Sequence, residues 1–151
     1  MADNDNVIST LNNLIETCKD GQEGFRQASE GVKNGELKML FSTYSQQRAQ
    51  FAGELQNEVL RLGGDPEKTS STVGALHRGW INIKSALTGE DEGAVISECE
   101  RGEDSAVRNY TEALNDDLPN DVRQIVERQF AQVKAAHDRI RALERATGKG
   151  A

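Results

Sequence analysis

Histidine is scarce in this chain of 151 residues, which has only two, alongside two cysteines and two prolines, with aromatics at 5%. Cys18 and Cys99 lie far apart with no CxxC spacing, which excludes a zinc ribbon or a disulfide framework. Both read as small buried apolar residues. No apolar run approaches the roughly 20 residues that span a bilayer, and residues 1–6 are polar and acidic, unlike a secretory leader. Positive charge is also in deficit, with 18 Lys and Arg against 25 Asp and Glu and a net charge of −7. Nucleic acid and anionic membrane are therefore not expected partners. What is present, 36% hydrophobic residues plus 14 glycines, is an ordinary globular composition. The expectation is one soluble, cytoplasmic domain over 1–151.

The prolines sit among turn formers, Pro66 after Gly63, Gly64 and Asp65, and Pro119 beside Asp116, Asp117 and Asn120, so they mark helix boundaries. Between them apolar residues recur every three or four positions and never alternate strictly, which reads as all-α. Helices are expected at about 5–33, 36–62, a short 71–87, 92–115 and 120–147. Asn4 or Asp5 would cap the first. Its seam runs Val7, Leu11, Leu14, Cys18, Phe25, Ala28 and Val32, and Asn34 and Gly35 would end it in the left-handed conformation. The second carries Leu37, Leu40, Phe41, Tyr44, Phe51, Leu55, Val59 and Leu62. The short one, capped by Ser70 or Ser71, places Val73, Leu76, Trp80, Ile83 and Leu87 on one face. The acidic triplet Glu90, Asp91 and Glu92 opens the next, where negative charge suits the helix dipole. Two short-looped hairpins joined by one long connection give the single-crossover layout of a ferritin-like four-helix bundle.

Di-iron catalysis in that fold needs four carboxylates and two histidines, with Glu-x-x-His on two helices. That motif is absent: His77 falls in the crossover, and position 134, three before His137, is Lys134. Carboxylate pairs at helical spacing, Asp20 with Glu23, Glu54 with Glu58, and Glu100 with Glu103, read mostly as solvated faces. Glu103, four after Cys99 and three before Ala106, points inward instead. So does Arg48, four after Tyr44 and three before Phe51. Antiparallel packing of their helices would bring the two to similar depth, as an ion pair in the layer where metal ligands would otherwise sit. Gln22 and Gln129 would complete this buried polar layer. His137 reads as a hydrogen-bonded packing residue, and Tyr44 and Tyr110 as core-edge aromatics.

The stretches Leu11–Gly21, Gln47–Ala52 with Glu54–Gln56, Gly74–Trp80 and Gly102–Ala106, closing at Tyr110 and Ala113–Leu114, resemble a bacterial family of four-helix-bundle proteins of the ferritin-like superfamily, a domain of unknown function. The resemblance covers about residues 5–115. It implies a ferritin-like bundle and an association with bacterial stress, and lends no standard ligand set. The function expected is non-catalytic, structural or interaction-based, with no cofactor. One alternative is an iron or manganese oxidase or storage protein with Glu23, Glu54, Glu103 and His137 as its ligands. Another is a homodimer or other homo-oligomeric assembly module.

Overall fold

A computed structural model describes residues 4–66, 80, 82–89 and 91–146. Among these the chain is all-helical: α1 (Asn4–Gly31), α2 (Gly35–Arg61), α3 (Ile83–Thr88), α4 (Glu92–Leu114) and α5 (Asn120–Ala146). No helix among them is long and apolar enough to cross a membrane.

Side-chain and backbone caps explain most of the boundaries. Asn34 is extended (φ −65°, ψ 122°), and its side chain accepts from the amides of Glu36 and Leu37 at the start of α2. The left-handed break expected at Asn34 and Gly35 is therefore absent; the turn is tight enough that Asn34 caps the incoming helix instead. Glu92 braces the same turn by accepting from the amides of Lys33 and Asn34. At the other end of α2, Gly63 takes φ 85°, while its amide donates to Leu60 and that of Gly64 to Val59. That pair of bonds is a Schellman stop, which needs glycine at the left-handed position. Asn4 and Asp5 lie inside the first turn of α1, so neither precedes it as a cap.

Among the described residues of the connection, the short helix covers Ile83–Thr88. Trp80 and Asn82 are non-helical, and the Asn82 amide donates to the Glu98 carboxylate at 2.8 Å, which fixes where α3 begins. Ser70, Ser71, Val73, Leu76 and His77 lie outside the described residues, as does Glu90. Asp91 caps α4, its side chain accepting from the Ala94 amide.

The short α1–α2 and α4–α5 turns make two antiparallel hairpins. Thr10 donates to Asp116 and Asn109 to Thr17, so α4 runs opposite to α1. Gln47 meets Gln132 and Arg61 meets Asp121, so α5 runs opposite to α2. It follows that α2 and α4 run the same way, not antiparallel as expected for the helices carrying Arg48 and Glu103.

Two apolar clusters fill the interior. One is mainly aliphatic, with Val7, Leu11, Leu14, Ile15, Leu55, Val59, Val122, Val126 and Val133, joined by Phe51 and Tyr110. The other holds Phe25, Phe41 and Trp80 with Ile83, Val95, Ile96, Cys99 and Ile140. Each fully buried Leu, Ile or Phe contributes roughly 1.5 to 3 kcal/mol. Trp80 lies in a notch between α1 and α4: a Cβ on Gly24 would fall 2.3 Å from its ring, and one on Gly102 would fall 2.1 Å away.

Candidate functional site: a buried polar layer

At mid-length α2, α4 and α5 turn polar side chains inward. Arg48 on α2 donates from Nη1 to Glu103 Oε1 at 2.5 Å and from Nη2 to Oε2 at 2.6 Å, a two-pronged pair with side chains 1% and 0% exposed. Its Nε donates to Gln47, and Gln47 donates in turn to Gln132 of α5. The guanidinium carbon lies 5.5 Å from the centre of the Phe25 ring, within cation–π range. The α1 residue facing Arg48 is Gly21, where an added Cβ would come within 3.3 Å of the arginine side chain. Burial disfavours the charge on Arg48, but the neighbouring Glu103 carboxylate and its hydrogen bonds outweigh that and hold the guanidinium pKa above its usual value. Two ions taken out of water together gain little net stability; stranding one costs about 3 to 5 kcal/mol.

A second polar chain starts deeper and reaches the surface. Cys18 Sγ lies 3.2 Å from the Tyr110 hydroxyl, which donates to Gln129 Oε1 at 2.7 Å. Gln129 donates to Glu54 at 2.9 Å and to the Phe51 carbonyl at 3.4 Å. Arg128 donates to the other Glu54 oxygen at 2.7 Å, where both side chains meet solvent. With the tyrosine proton committed to Gln129, the thiol is left to donate to Tyr110. Burial pushes the Cys18 thiol up to about 11, and holds Cys99 and Tyr110 well above their ordinary values. Neither thiol is a nucleophile at neutral pH, because the thiolate is the reactive form.

The four residues weighed as metal ligands are not brought together. Glu23 bonds Arg26 and Gln27 on the surface of α1, and Glu54 bonds Arg128 and Gln129. Glu103 has both oxygens on Arg48. His137 lies with Nε2 2.5 Å from Asp104 and Nδ1 3.2 Å from Asp138. Burial pulls its pKa down, but the bonds to Asp138 and Asp104 prevail and leave it raised. Among the described residues no group of three or more His, Cys, Asp and Glu side chains is placed to hold a metal ion. Of the expected polar layer, Gln129 is fully buried within it. Gln22 is half-buried at its edge and contributes its backbone carbonyl, which accepts from Ser45. The difference is one residue of helix phase, since Gly21 takes the inward position.

Sequence periodicity misses three features. The first is the His137–Asp104 contact, which depends on the register between α4 and α5. The second is Glu100, which faces Glu144 of α5 with one oxygen, Oε2, buried and without a donor. Burial and the Glu144 carboxylate push the Glu100 pKa up to about 7. The third is the glycine notch around Trp80. Its signal was the placing of Gly24 and Gly102 inside helices, where glycine costs up to about 1 kcal/mol relative to alanine.

Two surface grooves, of about 360 and about 540 Å³, flank the N-terminal half of α1. Neither is lined by Arg48, Glu103, Tyr110 or Gln129. The Arg48–Glu103 pair and the chain from Tyr110 through Gln129 to Glu54 are thus held by one another's donors and acceptors.

The DUF2383 domain, a domain of unknown function, matches residues 6–116. The chain belongs to the DUF2383 family. The matched span takes in α1, α2, α3 and α4, and so includes both members of the Arg48–Glu103 pair. No match was found among curated proteins.

Proposed function

We propose that this DUF2383 protein is a ferritin-like bundle without a metal centre, a non-catalytic cytoplasmic protein that acts through structure and interaction, in bacterial stress physiology. The parallel course of α2 and α4 supports the single-crossover layout, because a chain leaving α2 must return along the bundle before it can start α4 in the same direction. The observation that carries the non-catalytic reading is the Arg48–Glu103 pair. Its fixed guanidinium occupies the central layer, where a resident pair of metal ions would need negative ligands, and the Glu103 carboxylate it meets has both oxygens engaged. The residues present do not fit such a centre. What the pair supplies is register: the two charges satisfy each other only when α2 and α4 sit at one relative depth.

Elemental analysis of the full chain produced in iron- and manganese-rich medium tests this. The expected result is metal far below one equivalent, unaffected by Glu103→Ala. Near-stoichiometric iron or manganese that disappears in Glu103→Ala overturns it.

A further inference from the structure

Asn34 is the only asparagine in the chain that a glycine follows. Such a pair can react with itself: the nitrogen of the second residue attacks the side-chain amide carbon of the first, and glycine has no Cβ to hinder the approach. Both residues are exposed in the α1–α2 turn, and a Cβ built on Gly35 would meet nothing within 4 Å.

The fold holds this pair out of reach of its own chemistry. Closing the five-membered ring needs the Gly35 nitrogen and the Asn34 Cβ nearly eclipsed about the Cα–C bond, and at ψ 122° the two are splayed far apart. Three hydrogen bonds fix that conformation. Asn34 Oδ1 accepts from the amides of Glu36 at 2.9 Å and Leu37 at 3.1 Å, and the Asn34 carbonyl accepts from the amide of Lys38 at 2.9 Å. Glu92 of α4 holds the turn from the other side, its Oε2 accepting from the amides of Lys33 at 3.3 Å and Asn34 at 3.1 Å. Rotating ψ toward ring closure swings the Asn34 carbonyl away from Lys38, and drawing the side chain to Gly35 empties the cap.

We infer that Asn34 is a modification site, an asparagine that deamidates without an enzyme when the α1–α2 turn opens, with the Glu92 brace as its gate. In the open turn the Gly35 nitrogen gives its proton to hydroxide and bonds to Asn34 Cγ. The Cγ–Nδ2 bond breaks, and ammonia leaves with a proton from water. A second water opens the succinimide: entry at Cγ gives aspartate at position 34, and entry at the main-chain carbon gives isoaspartate, whose backbone runs through Cβ. Aspartate still accepts from the first amides of α2 and suits a helix start, but it sets a second carboxylate beside Glu92. Isoaspartate carries one more backbone atom and cannot restore the cap. Both products weaken the tie between this turn and α4, so the change marks, in covalent form, chains whose turn has opened.

The full chain, incubated in mildly alkaline buffer with and without denaturant, tests this by mass spectrometry of the peptide containing Asn34, with isoaspartate scored separately. Deamidation is expected at Asn34 ahead of every other asparagine, and at least about tenfold more slowly in the folded protein than in denaturant, because opening must first break several hydrogen bonds. Glu92→Ala removes a charged acceptor and should raise the folded rate by about tenfold while leaving the rate in denaturant unchanged. Glu92→Gln, which keeps an acceptor without the charge, should fall between. Gly35→Ala, at a position with open space, should suppress the reaction in both conditions with unchanged circular dichroism. Equal rates in the folded and denatured protein, a folded Glu92→Ala rate equal to that of the unmodified sequence, or faster deamidation at another asparagine would overturn the proposal.

Discussion

The two apolar clusters that flank the polar layer are built by different means. The aliphatic one draws its buried residues from the four long helices and the Leu118 turn, in seams repeating every three or four residues. The aromatic one borrows Trp80 and Ile83 from the connection between α2 and α4, and accepts the indole only because Gly24 and Gly102 lack side chains. The Phe25 ring meets Trp80 edge-on at 4.9 Å and Tyr44 at 5.3 Å, which adds orientation to burial. An aliphatic seam tolerates small shifts of one helix along another. A ring wedged between two glycines does not, so register is most sharply specified at the aromatic end and in the layer beside it.

The largest expected effect lies at the boundary between the clusters. Arg48→Met and Glu103→Met should each lower unfolding free energy by about 3 to 5 kcal/mol, and the double change should recover much of that loss. Denaturant titration of the four proteins measures it; strictly additive losses would show that the layer does not act as a pair.

Next is the notch. Gly102→Ala should cost about 2 to 3 kcal/mol, because the indole has to move. Since Trp80 is the only tryptophan, its emission should shift to the red. Amide exchange of Leu11 to Ile15 in the aliphatic cluster should keep its protection relative to global unfolding. A variant of unchanged stability and emission would dissolve the distinction between the two ends.

The smallest effect is a pH dependence along the α4–α5 seam. Glu100 has its pKa raised in the folded state by burial and Glu144, so folding favours its protonated form. Its stabilising influence is complete below the unfolded value and fades as pH rises through about 7. His137, raised by Asp138 and Asp104, contributes in the same sense, since the stability of its charged form is lost as pH climbs through the folded value. Glu100→Gln should therefore stabilise the protein at about pH 8 and do little at about pH 5, read as melting temperature. An equal effect at both values would remove Glu100 as the titrating group.

Much of this was legible in the amino-acid order. The inward phase of Arg48 and Glu103 follows from their spacing to Tyr44, Phe51, Cys99 and Ala106. The stop at Gly63 and the start after Pro119 follow from backbone chemistry that acts within a few residues. In sequence Asn34 suits a left-handed break as well as a cap, and the neighbouring turn decides for the cap. Gln22 falls one residue out of phase for a related reason: helical periodicity marks a sector, and whether position 21 or 22 touches Arg48 depends on how α1 is rotated against α2.

The chain's own order determined the helices, their apolar faces and the shortage of metal-binding nitrogen, because propensity, capping and periodicity operate over spans of a turn or two. Only tertiary structure decided that α2 and α4 run alongside each other in one direction, that Glu103 closes on Arg48 with both oxygens, and that Trp80 enters between two glycines. Those outcomes depend on contacts between residues many tens of positions apart. Helix rotation and depth are set there by the collective fit of side chains, which no local pattern encodes.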